Sequence, residues 1–385
     1  MRKETKSMEV CREEVSQIDQ EITRLFTKRM EVVREIADLK KENGLTIQDS
    51  LQERRKLNEI SGIVPEELKE YSIQLYSLIF ALSRGYQNRL MGTGSELTQA
   101  IQNAIETTPE LFPAGAAVAC QGLEGSNSQI ACDRLTRNAN IMYFATFDAV
   151  FSAVEKGLCR YGVIPLENST AGSVNAVYDL MQKHQFSIVR SVRIKVDHNL
   201  LVKPGTRLEE IREIYSHPHA IAQCSRFLQT MKDVQAIPCE NTAIAARMVS
   251  ESDRREIAAL ASKSSARLYG LESIVDHVQD LSNNYTRFIC ISKQLEIYPG
   301  ADRTSLMVTL PHEQGALYKL LSRFYTLGIN LIKLESRPIP DSDFEFRFYF
   351  DLDVPVYSPQ LQQLMGELGG VCESFHYLGS YSEVI

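Results

Sequence analysis

The chain has 385 residues, a length that predicts two or three domains. Charged residues at 24% and hydrophobic residues at 44% are the balance of a water-soluble protein with apolar material for several cores. A net charge of −7 argues against a nucleic-acid partner and gives no basic membrane-binding patch, and no apolar run approaches the length of a membrane span. The charged start MRKETKSMEV lacks a signal-peptide core. Eight scattered cysteines without a CxxC pair read as free thiols in a reducing cytoplasm. Of seven histidines only His217 and His219 stand close, flanking a proline, so no metal and no cofactor are expected.

Over residues 10–39 the apolar side chains Val15, Ile18, Ile22, Leu25, Val32, Ile36 and Leu39 recur at three, four and seven, the pattern of an amphipathic helix. Asn43-Gly44 ends it. A second helix carries Asp49 and Glu53 on one face, and a third carries Ser83 and Gln87 on one face. Pro65 stands at the start of that third helix, ahead of an apolar stripe of Leu68, Tyr71, Leu75, Leu78, Ile79 and Leu82. Arg29 and Lys40 point the same way about 16 Å apart, whereas Arg12 lies roughly 25 Å from Arg29 along the axis. One small molecule cannot touch Arg12 and Lys40 of the same helix. If all three serve one pocket, Arg12 comes from a second copy of the chain, through antiparallel pairing of two such helices.

The set Arg12, Arg29, Lys40, Asp49, Glu53, Ser83 and Gln87, spread over about the first 90 residues, resembles the all-helical chorismate mutases. The resemblance implies a dimer of three-helix chains with shared sites. In it, Arg29 and the other copy's Arg12 bind the two carboxylates of chorismate by bidentate pairs. Asp49, Glu53 and Ser83 hold the ring hydroxyl and a carboxylate, while Lys40 and Gln87 donate to the ether oxygen. Converting chorismate to prephenate is a pericyclic rearrangement, so the site must fold the side chain over the ring and stabilise charge on the breaking ether. The family generally carries Arg one residue before the Glu matched by Glu53, and this chain has Gln52. That removes a charge from a site for a dianion and predicts a weakened mutase, with Arg55 or Lys56 one turn on as partial replacement.

Gly92-Thr93-Gly94-Ser95 reads as a hinge, followed by a short helix over 96–106 and breakers at Pro109 and Pro113. From Ala116 the pattern turns α/β. Strands are expected at 116–120, 162–164, 188–194, 213–215, 236–238, 257–260 and 287–292, with helices at 147–156, 220–230 and 242–250. This order predicts two doubly wound lobes whose crevice binds a ligand at the strand ends. Four loop motifs fall there: Gln121–Ser128 around Gly122 and Gly125, Pro165-Leu166-Glu167-Asn168-Ser169, Ser216-His217-Pro218 with Ser216 as a helix cap, and Asn284-Tyr285-Thr286-Arg287-Phe288.

Their order over about 180 residues resembles prephenate dehydratase, with Pro-x-Glu-Asn-Ser and Thr-Arg-Phe carrying most of the specificity. The resemblance implies a two-lobed, periplasmic-binding-protein-like domain that removes water and carbon dioxide from prephenate to give phenylpyruvate. It assigns Thr286 as donor to the leaving hydroxyl. A threonine hydroxyl is a very poor acid, so this is a hydrogen-bond donor or one link of a proton relay. By the same resemblance Glu167, Asn168 and Ser169 orient prephenate, Arg287 pairs with a carboxylate, and Ser216, Gln223 and Phe288 complete the contacts. Asn127 stands where an aromatic is usual and His219 where Gln is usual.

The last 85 or so residues predict a strand at 305–310, a helix at 315–327, strands at 330–336 and 345–351, a helix at 359–368 and a strand at 371–378. That βαββαβ order is ferredoxin-like. Gly315-Ala316-Leu317 at a helix start and Leu334-Glu335-Ser336-Arg337-Pro338 after a strand resemble the ACT domain, an amino-acid sensor. The implied effector is L-phenylalanine, with its carboxylate at the glycine-started helix and a paired domain supplying the ring pocket. The whole reading is a mutase domain over 1–92, a linker over 93–114, a dehydratase domain over 115–293 and an ACT domain over 303–385, in a cytoplasmic homodimer or larger homo-oligomer. Two alternatives remain open at this level: a dehydratase whose helical domain only dimerises, and a non-catalytic amino-acid sensor.

Overall fold

The computed structural model describes residues 6–47, 49–91, 95–339 and 345–384. The expected hinge at Gly92-Thr93-Gly94 lies outside them.

Helix α1 spans Met8–Glu42, 35 residues, capped by the Ser7 hydroxyl, which accepts from the Val10 N–H. Asn43 closes it by donating from backbone and side chain to the Leu39 carbonyl, and Gly44 then takes the left-handed turn at φ 63°. Helix α2 spans Ser50–Ile63. Asp49 lies one residue before it, as the N-cap that accepts from the Gln52 N–H at 3.0 Å, so it does not share a helix face with Glu53. After a 3₁₀ turn at Glu66–Leu68 behind Pro65, helix α3 runs from Lys69 to Met91. Helices α1 and α2 both pack on α3.

The apolar stripe of α1 does not face this packing. Val15, Ile18, Ile22 and Leu25 are each more than half exposed, while Val33 and Ala37 are the buried positions. On α3 the expected stripe is also largely open at Tyr71 and Leu75. Its buried face lies further on and is small or polar: Phe80, Ala81, Ser83, Gly85, Gln87 and Asn88.

Helix α4 covers Ser95–Thr107. It is not a free linker, because Ile101 and Ala104 enter the core of the C-terminal unit.

The first lobe is a seven-stranded sheet in the order Glu383–Val384, Ser187–Lys195, Tyr285–Ser292, Tyr161–Asn168, Ala117–Gln121, Asn140–Phe144, with Gly172–Ser173 beside Tyr161–Asn168. Ala117–Gln121 runs parallel to both neighbours, and Tyr285–Ser292 antiparallel to both of its own. The second lobe orders Glu272–Val275, Asn199–Val202, Ile257–Ala261, Glu213–Ser216 and Gln235–Pro238. Each lobe therefore has a parallel core with antiparallel additions, not the fully doubly wound sheet expected. Asn140–Phe144 and Glu272–Val275 escaped sequence reading because edge strands with half-open faces lack a continuous apolar run; the short strand Asn199–Val202 was also missed. The helix expected over 220–230 breaks at Cys224 into Pro218–Gln223 and Ser225–Thr230. The chain crosses between lobes twice, at 196–198 and again shortly before Tyr285.

The C-terminal unit has the expected βαββαβ order: Arg303–Thr309, Ala316–Thr326, Asn330–Pro338, Phe346–Asp353, Pro359–Leu368 and Ser374–Tyr381. Its antiparallel sheet runs second, third, first, fourth, the ferredoxin-like arrangement. Met307, Tyr349, Leu378 and Tyr381 bury themselves against the first lobe, sharing one core with Ile164, Ile289 and Ile291.

Candidate active sites

In the helical unit, the facing surfaces of α1 and α3 bring Arg29 and Ser83 together, with the guanidinium donating to the Ser83 hydroxyl. The Arg29 guanidinium also lies 5.7 Å above the Phe80 ring, and burial draws its pKa below the ordinary arginine value. Gln87, one turn after Ser83, is buried with its amide oxygen unpartnered among the described residues. Lys40 donates to the Ile47 carbonyl at 2.6 Å, which folds the α1–α2 connection back onto the helix. Glu53 pairs with Arg84 of α3. Asp49 and Arg12 are exposed, and Arg12 lies at the far end of α1, away from this cluster. Lys56 pairs with Glu59 in solvent and Arg55 is exposed, so neither enters the cluster as a replacement for the missing arginine at 52.

Between the lobes lies a cleft of about 860 Å³. Asn168 is its hub. Its amide N–H₂ donates to Asn284 at 2.8 Å and to the Thr286 hydroxyl oxygen at 2.9 Å, while its carbonyl accepts from the Thr170 and Ala171 N–H groups and the Thr170 hydroxyl. Asn284 donates to Gln223 at 3.0 Å, and Gln223 donates to Thr170 at 3.1 Å. The Gln223 oxygen also lies 3.0 Å from His198 Nε2. Burial lowers the His198 pKa, against a smaller upward pull from Gln223, so the neutral ring donates from Nε2. Thr286 accepts from Asn168, which leaves its own hydroxyl proton for a molecule in the cleft.

Of the described residues lining this cleft, none is Arg or Lys. Positive potential comes instead from the N-termini of helices Asn127–Leu135 and Thr242–Glu251, which open onto it behind the caps Ser126 and Asn241. Gly122 and Gly125, at φ 105° and 85°, make the turn that aims the first of these.

Residues 118–296 match the family profile of prephenate dehydratase, and residues 11–88 that of chorismate mutase type II. The bifunctional chorismate mutase/prephenate dehydratase of Escherichia coli K12 is 30% identical over 380 residues, covering 96% of this chain and 95% of that protein. The chain belongs to this bifunctional family. It is an enzyme with a chorismate mutase unit and a prephenate dehydratase unit. Arogenate dehydratase/prephenate dehydratase 1 of Arabidopsis thaliana is 34% identical over 281 residues, 69% of this chain and 71% of that one. Among solved structures, a prephenate dehydratase from Arthrobacter aurescens in complex with L-Phe aligns at a TM-score of 0.64 with 27% identity, covering 69% of this chain and 90% of that chain.

Within the dehydratase unit, five residues expected at the cleft, Glu167, Ser169, Ser216, Arg287 and Phe288, are elsewhere. Side chains alternate along a strand, so Thr286 and Asn168 face the cleft while their neighbours Arg287 and Glu167 face the C-terminal sheet. Arg287 is 3% exposed and sits between Asp351 and Glu167, the latter at 2.7 Å. Burial opposes its charge, but the two carboxylates outweigh it and hold its pKa up. Glu167 also pairs with Lys333 at 2.6 Å. Arg287 is thus a partner for protein carboxylates, not for one on a ligand. Phe288 is buried in the core behind the sheet. Ser169 ties the two strand ends together, donating to the Asn283 carbonyl and accepting from the Tyr285 N–H. Ser216 is not the helix cap: it is buried and donates to the Leu260 carbonyl, while the His217 ring accepts from the His219 N–H. Gln223, Asn127 and His219 do line the cleft. Sequence reading missed Thr170 and His198, which carry no motif, and passed over Asn284 and His217 although both stood inside quoted motifs.

The C-terminal candidates divide. Gly315, Ala316 and Leu317 border a groove of about 450 Å³ with Leu310, Phe346 and Phe348, and Gly315 caps its helix at φ 80°. Glu335 and Arg337 point the other way. Arg337 makes two hydrogen bonds to Asp179 at 2.8 and 2.9 Å, and Glu335 accepts from the Ser173 hydroxyl. Ser336 and Pro338 lie on the open face of the strand.

Proposed function

We propose that this enzyme takes chorismate to prephenate in the helical unit and prephenate to phenylpyruvate in the cleft, and that L-phenylalanine restrains the second step through the C-terminal unit, read as an ACT domain. The proposed boundaries are 1–92, 115–293 and 303–385, with the cytoplasm as the site of action. The free cysteine thiols suit a reducing compartment.

The observation that carries the dehydratase assignment is the Asn168–Thr286 pair. As the ring carboxylate leaves as carbon dioxide, its electron pair enters the ring and expels the hydroxyl on the opposite carbon. The Thr286 proton is directed at that departing oxygen, because Asn168 occupies its lone pair. The helix N-termini hold the carboxylates, and aromatisation supplies the driving force. In the helical unit Arg29 holds one carboxylate, and the other copy's Arg12 the second. The exposed α1 stripe of Val15, Ile18, Ile22 and Leu25 supports this dimer.

The C-terminal unit, where phenylalanine is proposed to bind, touches the cleft wall. Lys333 and Glu335 both touch Ser173, and Gly172–Ser173 forms part of the cleft wall. Regulation requires that phenylalanine favour one arrangement of this contact over another. Feeding purified protein chorismate, while following its loss and phenylpyruvate formation separately, tests both activities. Persistence of chorismate with consumption of added prephenate would reduce the helical unit to a scaffold. Isothermal titration without phenylalanine binding would remove the regulatory part.

A further inference from the structure

The mutase site binds a dianion, yet the family's arginine before Glu53 is Gln52 here. The nearby cations on α2 do not compensate, since Lys56 is committed to Glu59 in solvent and Arg55 is exposed. The cation instead comes from α3. Arg84 follows Ser83, precedes Gln87 by three residues, and places Nη1 on Glu53 Oε1, with the two side chains 12% and 29% exposed. Only Oε1 takes part in this contact, which leaves Oε2 for a ring hydroxyl. The C-terminal unit approaches the next residue closely. A Cβ on Gly85 would lie 3.2 Å from the Glu367 carboxylate and 3.3 Å from the Arg323 guanidinium, so the C-terminal unit presses directly on this turn.

We propose that Arg84 is a positioning residue of the mutase site, supplying from α3 the positive charge that Gln52 removes from α2 and holding Glu53 toward the substrate's ring hydroxyl. The inference rests on the mutase reading of the helical unit. Three full-length variants test it: Arg84→Gln, Arg84→Lys, and Arg84→Gln combined with Gln52→Arg. Mutase kcat and KM are measured on chorismate, and dehydration of supplied prephenate is measured on the same samples as a check of folding.

Arg84→Gln is expected to lower mutase kcat/KM by roughly 10- to 100-fold. Arg84→Lys should keep most of the activity, the double variant should regain it, and dehydration should be unchanged throughout. A mutase unaffected by Arg84→Gln overturns the proposal. So does a loss that neither Lys at 84 nor Arg at 52 relieves, because the role would then be packing and not charge. If Arg84→Gln fails to fold, the lysine variant decides, and its mutase loss beside intact dehydration counts against the proposal. A parent chain without mutase activity overturns the underlying assignment as well, which distinguishes the two failures.

Discussion

The helical unit and the cleft solve the same recognition problem in opposite ways. Both units are read as binding small dicarboxylates, but the helical unit offers the cations Arg29, Lys40 and Arg84, whereas among the described residues the cleft lining has no Arg or Lys and presents helix ends and amides. The cleft lies between two lobes of the same chain, with its hydrogen bonds centred on Asn168. The helical unit leaves Arg12 at the far end of α1 and an apolar stripe facing solvent, which is the basis for the proposal that a second copy finishes its site. On that proposal, charges on long helices give a site that assembles, and short loops at strand ends give one that is made in advance.

Several experiments press on this contrast. The largest effect is expected for Thr286→Ala, which should cut phenylpyruvate formation by roughly 10³-fold and leave chorismate consumption unchanged. Equal loss of both activities in a folded variant would break the separation of the sites. Lys40→Ala should do the reverse, lowering mutase kcat by about 10²–10³-fold through loss of the donor to the ether oxygen while dehydration persists. Ile22→Asp, on the open stripe of α1, should weaken self-association measured by sedimentation and make the mutase rate fall on dilution sooner than in the parent chain. The dehydratase rate per chain should stay level, and a mutase indifferent to dilution in both proteins would remove the shared site.

The smallest effect concerns pH. The seven histidines all lie at or beyond position 184, so the helical unit has none. Burial places the folded pKa of His198 below its unfolded value of about 6.5, so the stability it lends is whole above that pH and is lost as pH falls through the folded pKa. Mild acidification should therefore erode dehydration before rearrangement, and His198→Gln should reduce that gap. Parallel acid profiles for the two activities would show that the histidine cluster is not the sensitive element.

Period and spacing made much of this molecule legible. The length of α1, the three-helix order and the βαββαβ unit follow from apolar repeats and breakers, and Arg29 and Ser83 lie in contact. What stayed hidden was sidedness. Pro-x-Glu-Asn-Ser and Thr-Arg-Phe located the right strands, but adjacent residues point to opposite faces, and nothing in the string says that a second sheet covers one of them. Glu167 and Arg287 therefore read as ligand contacts although they meet Lys333 and Asp351. Thr170 and His198 carry no motif, and the contact that draws both into the cleft network is with Gln223, more than 20 residues away in the chain.

That alternation also shapes how the enzyme can evolve. Thr286 and Arg287 are neighbours in the chain, yet one faces the cleft and the other the sheet of the C-terminal unit. If the proposed feedback by L-phenylalanine runs through this contact, variants that escape it have a compact target: Lys333, Glu335, Arg337 and their partners across the seam. Such variants are expected to accumulate along that seam. At Arg287 the seam lies one codon from Thr286.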